Sequence, residues 1–272
     1  MAARRPRPAG SRLTLGGGVA RNMRAGRELR IRPVTGLPEL REGDDLGSLI
    51  AEAAEPAGDE IVVISQKAVS KVEGRVRRLT DVEPGERARD IAARLDKDPA
   101  LIELVLAESR RIVRAERGVL ITETNGGWVC ANAGIDSSNL ERGLVSLLPE
   151  DGDASARRIR GEIAEASDVS PAVVIADSFG RAWRVGQADV AIGCAGLPPL
   201  ADWRGKRDHH GRELSATHIA LADELASAAD LVRDKDSAIP GAIVGGLGHI
   251  VIPDDGPGAK AFPRPAEEDL FR

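Results

Sequence analysis

Two carboxylates follow apolar strands in this chain, and each has small polar neighbours. Asp136 comes after the run Val-Cys-Ala-Asn-Ala-Gly-Ile, and Asp177 comes after Pro-Ala-Val-Val-Ile-Ala. Asn139 and Ser178, close to these acids, add an amide and a hydroxyl. Carboxylate and hydroxyl oxygens are the ligands that hard divalent cations prefer, and such cations neutralise phosphate oxygens. The pattern predicts an enzyme that depends on a metal and a nucleotide.

Each of these residues also has a simpler interpretation. An aspartate after a strand often caps a helix, and this alternative stays open for Asp136 and Asp177. Asn139 suits either a contact with a base edge or a helix cap. Lys67 and Lys71 follow another buried strand, where an ammonium group could meet a phosphate or simply be solvated. The presence of two acids in the same context favours ligand binding.

The elements that would position these residues form a mixed pattern from Ile31 onward. Apolar strands and amphipathic helices predict an α+β fold, in which mixed sheets are flanked by helices. The turn Gly-Leu-Pro-Glu at 36–39 is a candidate ligand loop. Strands are predicted over 60–65, 119–131 with a hairpin at Asn-Gly-Gly, 171–176, 188–194 and 242–244. Helices are predicted from about 45 and over 87–95, 99–114, 155–166 and 214–232.

The chain of 272 residues is long enough to bury a full core. Residues 1–29 are rich in Arg, Pro and Gly without apolar periodicity, which predicts a flexible tail. Residues 30–252 are predicted to form the functional domain. Residues 253–272 are charged and contain Pro263 and Pro265, which predicts a loosely held end.

Composition narrows the class of partner and compartment. The formal net charge of -5, with both signs mixed along the chain, lacks the basic footprint of a nucleic-acid binder. No segment has eighteen uninterrupted apolar residues, so no membrane partner is expected. Cys130 and Cys194 lack metal-ligand spacing and predict core thiols. A cytoplasmic, reducing setting follows. The common glycine-rich phosphate loops between strand and helix are absent from the sequence.

Six blocks occur in order along the chain. They read GLPEL from residue 36, GDDL from 43, SQKAVSKVEG from 65, ANAGIDSSN from 131, DSFGR from 177 and ADELA from 222. Together they resemble the coenzyme F420-0:γ-glutamyl ligase family, which extends a deazaflavin cofactor with glutamate. The resemblance implies GTP, L-glutamate and coenzyme F420-0 as partners, two Mg²⁺ or Mn²⁺ ions as cofactors, and a homodimer. It implies an acyl-phosphate intermediate with release of GDP and phosphate.

The resemblance also assigns roles to individual residues. The two cations would be held by Asp136, Asp177 and Ser178. Asp136, Asp177 and Lys71 would be the catalytic residues. The guanine nucleotide would be contacted by Leu37, Pro38, Glu39, Leu40, Gln66, Lys71 and Asn139.

The chain departs from the family pattern in two places. Ser178 stands where family members usually have Thr, which retains the hydroxyl. Residues 233–240 lack the glycine of the family's loop near the nucleotide, and either Asp234 or Asp236 could replace its cation ligand. This altered loop leaves two alternatives open. One is a ligase of the same scaffold with another carboxylated phosphate-ester acceptor, and the other is a nucleotide-binding regulatory protein without catalysis.

Overall fold

A computed structural model of the protein describes residues 28–234 and 237–269. Within these ranges the chain forms six α-helices and twelve strands. The helices are Leu46–Ala54 (α1), Gln66–Val72 (α2), Glu86–Leu95 (α3), Pro99–Ala107 (α4), Gly152–Ser167 (α5) and Leu221–Asp230 (α6). The strands are Arg30–Val34 (β1), Ile61–Ser65 (β2), Val76–Arg78 (β3), Ser109–Glu116 (β4), Val119–Thr124 (β5), Val129–Ala131 (β6), Leu144–Ser146 (β7), Ala172–Arg181 (β8), Arg184–Ala195 (β9), Ala201–Asp202 (β10), His218–Ile219 (β11) and Gly241–Gly245 (β12).

The largest sheet has five strands in the order β1-β12-β2-β8-β9. The neighbours β2 and β8 are parallel, whereas the other three pairs are antiparallel. Smaller sheets pair β4-β5-β6, β3-β7 and β10-β11. The predicted α+β fold with mixed sheets and flanking helices is confirmed.

Both faces of the large sheet are buried. In β2, Val62 and Ile64 pack into a cluster that includes the inner faces of α1, α2 and α5. The intervening Ile61 and Val63 pack into a second cluster that includes α6. Because successive strand residues face opposite sides, burial of both faces requires the continuous apolar runs seen in the sequence.

A third cluster covers the outer side of the molecule, where α3 and α4 pack against the smaller sheets. Its fully buried residues include Ile102 of α4 and Leu120 of β5. The Asn-Gly-Gly signal at 125–127 joins β5 to β6 as predicted, and Gly127 adopts a φ of 91° in that turn. This hairpin carries the chain toward Asp136.

The start of α5 lies directly against the backbone of β9. A Cβ at Gly193 would come within 2.2 Å of Gly152 backbone atoms, so both positions need to lack a side chain. The carboxylate of the next residue, Asp153, accepts hydrogen bonds from the backbone N–H groups of Cys194 (2.9 Å) and Ala259 (2.7 Å). These contacts fix the helix against the end of the sheet.

Two helix predictions are wrong at one end. The helix predicted over 99–114 ends at Ala107, because Ser109–Glu116 pairs with β5 as a strand. The helix predicted over 214–232 begins at Leu221, because His218 and Ile219 pair with β10. In both segments β-branched residues next to a partner strand favour pairing over helix continuation.

The structure describes most of the C-terminal segment but little of the N-terminal one. Of the predicted tail over 1–29, residues 1–27 lie outside the described residues. The predicted loosely held end over 253–272 differs from the structure in its first half. Asp255 forms an ion pair with the buried Arg160 at 3.0 Å, and Ala259 is fully buried. None of the described helices is long and apolar enough to cross a membrane.

Candidate active site

In the structure Asp136 and Asp177 both interact electrostatically with Lys67. The ammonium Nζ of Lys67 lies 2.7 Å from Asp136 Oδ2. The charges of Lys67 and Asp136 both act on the carboxyl group of Asp177, which is 8% exposed. The sequence had suggested phosphate binding for Lys67. Its ion pair with Asp136 joins it to the acids.

The two acids reach this place from different elements. Asp136 follows a short turn after β6 and pairs with Ser146 at the end of β7. Asp177 was expected at the exit of a strand, but it lies within β8, which continues to Arg181 because β9 pairs with it throughout. Lys67 is placed by Ser65, which ends β2 and caps α2 by accepting a hydrogen bond from the Lys67 N–H.

Neither acid caps a helix, so that alternative is excluded. The Asp136 side chain accepts hydrogen bonds from the Ser138 N–H (2.8 Å) and the Ser138 hydroxyl (2.7 Å). This is a local turn around an aspartate, and the second carboxylate oxygen remains close to Lys67. Asp177 belongs to a strand.

The two carboxyl groups have opposite pKa shifts. The pKa of Asp177 is raised to about 6, mainly by burial and also by the negative charges of Asp136 and Asp189, while the charge of Lys67 and a hydrogen bond from the Ser178 N–H oppose the rise. Burial also acts to raise the pKa of Asp136, but hydrogen bonds from Lys67 and Ser138 outweigh it and lower that pKa. Asp177 is therefore a buried acid whose ionised form requires more positive charge than the described residues provide.

Asp189 and Arg233 are site residues that the sequence analysis missed. Asp189 is 3% exposed and lies opposite Ser178 in the β8–β9 register. The Ser178 hydroxyl donates to Asp189 Oδ1 at 2.6 Å, and the Arg233 guanidinium contacts Asp189 Oδ2. An available signal was the charged residue inside the otherwise apolar segment Ala-Asp-Val-Ala-Ile, since buried acids are normally paired.

A small acidic pocket of about 70 Å³ is lined by Lys67, Asp177, Ser178, Asp189 and Arg233, whereas Asp136 is not one of its lining residues. It opens toward a larger cleft of about 500 Å³, and the two share Ser65, Lys67 and Asn139. The predicted ligand loop forms one wall of the larger cleft, which is lined there by Gly36, Leu37, Pro38, Glu39 and Leu40. The expected nucleotide loop and the expected metal ligands Asp177 and Ser178 therefore line two adjoining cavities.

Lys71 faces the larger cleft from α2, one helical turn after Lys67. Its Nζ lies 2.6 Å from Glu39 Oε1, whose side chain is largely exposed. The pair links α2 to the ligand loop. A phosphate group entering the cleft would compete with Glu39 for this ammonium.

Gln66, an expected nucleotide contact, is not among the lining residues of the two cavities. This residue is completely buried and lines neither cavity, and its Oε1 accepts a hydrogen bond from the Ser70 hydroxyl at 2.9 Å. Its Nε2 has no hydrogen-bond partner in the described part of the chain. The side chain is thus packed in the core at the start of α2, and a nucleotide contact of Gln66 stays a prediction.

The altered loop over 233–240 is described except for Lys235 and Asp236. Asp234 lines the small pocket, whereas the alternative ligand Asp236 lies outside the described residues. Residues 237–240 line the larger cleft. The loop therefore borders both cavities.

The donor set of the small pocket fits a hard divalent cation. Asp177 and Ser178 line the pocket and offer oxygen ligands, and Asp136 is joined to its edge through Lys67. The raised pKa of the buried Asp177 marks a place where added positive charge is favourable. Among residues 28–234 and 237–269 no group of three acidic, histidine or cysteine side chains is arranged to hold a metal by itself. Ligand oxygens and water would have to complete the coordination, as is usual for Mg²⁺.

The fold and the site together define an α+β protein whose buried acidic pocket, with its lysine, opens into a cleft lined by a Gly-Leu-Pro-Glu loop. A family model described as F420-0:Gamma-glutamyl ligase matches residues 35–246. The chain belongs to this family, which confirms the resemblance found in the sequence.

Three relatives are similar over nearly their whole length, and each is named coenzyme F420:L-glutamate ligase. The protein from Methanopyrus kandleri is 46% identical over 246 residues, covering 90% of this chain and 98% of the relative. The protein from Methanothermobacter thermautotrophicus is 43% identical over 245 residues, covering 88% and 97%. The protein from Archaeoglobus fulgidus is 38% identical over 245 residues, covering 90% and 96%.

Proposed function

We propose that this protein is a GTP-dependent ligase that adds L-glutamate to coenzyme F420-0 in coenzyme F420 biosynthesis. The observation that carries the proposal is the position of Lys67, which lines both the small pocket beside Asp177 and the cleft of the Gly-Leu-Pro-Glu loop and forms an ion pair with Asp136. The names of the relatives supply the cofactor and the amino acid. The cleft volume of about 500 Å³ supports a nucleotide-sized ligand.

Two divalent cations, Mg²⁺ or Mn²⁺, would be held by Asp136, Asp177 and Ser178. When bound, they would neutralise the charge of the phosphate oxygens and of the acceptor carboxylate. Asp177 and Ser178 are consecutive in β8 and both line the small pocket. Ser178 would add its hydroxyl oxygen to the second cation.

The proposed reaction has two steps. An oxygen of the acceptor carboxylate attacks the γ-phosphorus of GTP, so that a C–O–P bond forms, the bond to the β-phosphate oxygen breaks, and GDP leaves. The glutamate amine then attacks the acyl carbon, a C–N bond forms, and phosphate leaves with the C–O electron pair. The ammonium form of glutamate loses two protons, one to the leaving phosphate and one to solvent. Activation as an acyl phosphate makes amide formation in water favourable.

The chain's own residues contribute binding and electrostatics to these steps. Lys71 would release Glu39 and bind phosphate oxygens in the cleft, and Asn139 and residues 37–40 would contact the nucleotide. Lys67 holds Asp136 in place and lowers the charge repulsion between Asp136 and Asp177. Burial of Asp177 places its carboxylate in surroundings of low polarity, which strengthens its electrostatic contact with a bound cation.

The reaction itself tests the proposal. Purified protein is incubated with GTP, Mg²⁺ or Mn²⁺, L-glutamate and coenzyme F420-0, and the mixture is examined by mass spectrometry. Glutamylated product with a matching amount of GDP is expected. GTP hydrolysis without that product would overturn the acceptor assignment and favour another carboxylated phosphate ester. Nucleotide binding without turnover would overturn catalysis and favour a regulatory protein.

The family resemblance also leads us to propose a homodimer. Sedimentation equilibrium of the full chain would give twice the mass of the 28.7 kDa protomer. A protomer mass over the working concentration range would contradict this part of the proposal.

A further inference from the structure

Asp189 is the centre of a buried polar network beneath the acidic pocket. Its Oδ1 accepts the Ser178 hydroxyl hydrogen at 2.6 Å, and its Oδ2 receives the Arg233 guanidinium. Its backbone carbonyl accepts a hydrogen bond from the Ser227 hydroxyl at 2.7 Å. One residue of β9 is thus bonded to β8, to α6 and to the loop that follows α6.

The direction of the Ser178 hydrogen bond determines what its oxygen can do. A hydroxyl has one hydrogen and two acceptor lone pairs, and the carboxylate of Asp189 can only accept. The hydrogen of Ser178 is therefore committed to Asp189. Any further partner of Ser178 Oγ must be a donor or a cation, which is the polarity that a metal ligand requires.

Arg233 occupies the other carboxylate oxygen of Asp189. The Arg233 side chain is 5% exposed, and the two partners form a buried ion pair. Its Nε has no hydrogen-bond partner within the described ranges, so Asp189 is a principal acceptor for this guanidinium. A charge-assisted bond of this kind fixes one carboxylate oxygen and leaves the other directed at Ser178.

We propose that Asp189 is a positioning residue that turns Ser178 Oγ into a ligand for a divalent cation in the acidic pocket. The proposal rests on the proposed function, because it deepens the role assigned to Ser178. Asp189 acts through Ser178 and has no direct contact with the reacting groups.

Replacing the Asp189 carboxylate by an amide tests whether the direction of its hydrogen bond with Ser178 matters. In Asp189→Asn the single amide oxygen is claimed by the charged Arg233, so the amide NH₂ faces Ser178 and donates to its Oγ. One of the two lone pairs of Oγ is then occupied, and the hydroxyl hydrogen loses the acceptor that directs it away from the cation, so Oγ is a more poorly oriented ligand. In the double variant Asp189→Asn/Arg233→Met the guanidinium is absent, so the amide oxygen can turn back to Ser178. Arg233→Met alone leaves the Ser178–Asp189 bond intact.

The experiment measures Mn²⁺ dissociation constants of the full chain by electron paramagnetic resonance of free Mn²⁺ at pH 8. Asp189→Asn should bind Mn²⁺ about 10-fold or more weakly, the usual effect of losing a partner that orients a metal ligand. Ser178→Ala should match it, and Ser178→Thr should stay close to wild type. Arg233→Met and the double variant should lie within about threefold of wild type, since the Ser178 hydrogen bond persists in both.

Thermal unfolding of each variant separates this role from a purely structural one. Removing one partner of a buried ion pair leaves the other charge uncompensated, so Asp189→Asn and Arg233→Met should both lower Tm. A structural role would then weaken Mn²⁺ binding in both variants alike. If Asp189→Asn does not fold, equal Mn²⁺ affinity in Ser178→Ala and wild type overturns the proposal.

The outcomes also separate this proposal from the proposed function. Wild-type protein that forms glutamylated product, with a double variant that binds Mn²⁺ no better than Asp189→Asn, overturns the positioning role alone. Wild-type protein that binds no Mn²⁺ overturns the metal assignment of the proposed function, and this inference with it.

Discussion

Lys67 Nζ lies 2.7 Å from Asp136 Oδ2 at the junction of the acidic pocket and the larger cleft. The ammonium is close enough to Asp177 to oppose the rise of its pKa. Lys67 therefore acts as a built-in positive charge between two acids, and it borders the space where phosphate oxygens would lie. Its contribution can be separated from that of a bound cation by changing pH.

Lys67→Met is expected to make Mn²⁺ binding more dependent on pH. Loss of the ammonium raises the pKa of both Asp136 and Asp177, so more of each carboxyl is protonated near pH 6 and Mn²⁺ binds more weakly there. At pH 8 both acids are ionised and a competing positive charge is gone, so affinity should equal or exceed that of wild type. Titrations at the two pH values, with Lys97→Met as control, check this. Parallel profiles for wild type and variant would contradict it.

Asp177→Asn is expected to stabilise the protein near neutral pH in the absence of divalent cations. The folded-state pKa of about 6 lies above the ordinary 3.8, so the folded state binds the proton more tightly than the unfolded state. Stability from this group is present below pH 3.8 and is lost as the pH rises through 6. The variant avoids a loss of up to about 3 kcal/mol at pH 7.

Denaturant titrations at pH 4 and pH 7 measure this difference in the free energy of unfolding. The advantage of Asp177→Asn should be present at pH 7 and nearly absent at pH 4. Added Mn²⁺ should stabilise wild type more than the variant, because ligand binding to the folded state adds stability. If Asp177→Asn is stabilised equally at both pH values, the buried charge of Asp177 is not the cause of the stabilisation.

Asp177→Ala is expected to lower ligase turnover by about 100-fold or more, the scale seen when an electrostatic contributor to a transition state is removed. Mass spectrometry of product against time gives the rate. Asp90→Ala is the matched control, because Asp90 is an exposed acid of α3 that lines neither cavity. Full activity in Asp177→Ala would refute its metal role.

Lys71 and Glu39 should affect nucleotide binding in opposite directions. Lys71→Met removes the ammonium and is expected to weaken GTP binding by about tenfold, equivalent to about 1.4 kcal/mol. Glu39→Gln removes the carboxylate that occupies Lys71 at 2.6 Å, so GTP should bind equally well or more tightly. Calorimetric titration of GTP distinguishes the two. Weakening by Glu39→Gln as large as that by Lys71→Met would mean that the pair itself is required.

Gly193→Ala is expected to lower the Tm because its Cβ would lie 2.2 Å from Gly152 backbone atoms at the start of α5. A backbone shift there costs about 1–3 kcal/mol. Gly161→Ala, within α5, is the control, since its Cβ would meet nothing within 4 Å. That control should raise stability by up to about 1 kcal/mol. Thermal unfolding checks both, and similar effects of the two substitutions would contradict the close approach.

Local sequence determined much of the scaffold. The continuous apolar run of β2 predicted a strand buried on both faces, and the Asn-Gly-Gly turn predicted the hairpin between β5 and β6. These signals are local because periodicity and turn chemistry depend on neighbouring residues. The ordered blocks around Asp136 and Asp177 were sufficient to indicate the family.

Tertiary structure decided what local patterns leave open. The segment over 109–116 carries helical spacing but becomes a strand because β5 lies beside it. Asp177 lies inside a strand because β9 extends the pairing past it. Lys67 and Asp136 are 69 positions apart, and Asp189 and Arg233 are 44 apart. Such pairs depend on sheet register and helix packing, which bring distant segments together only when the whole core is formed.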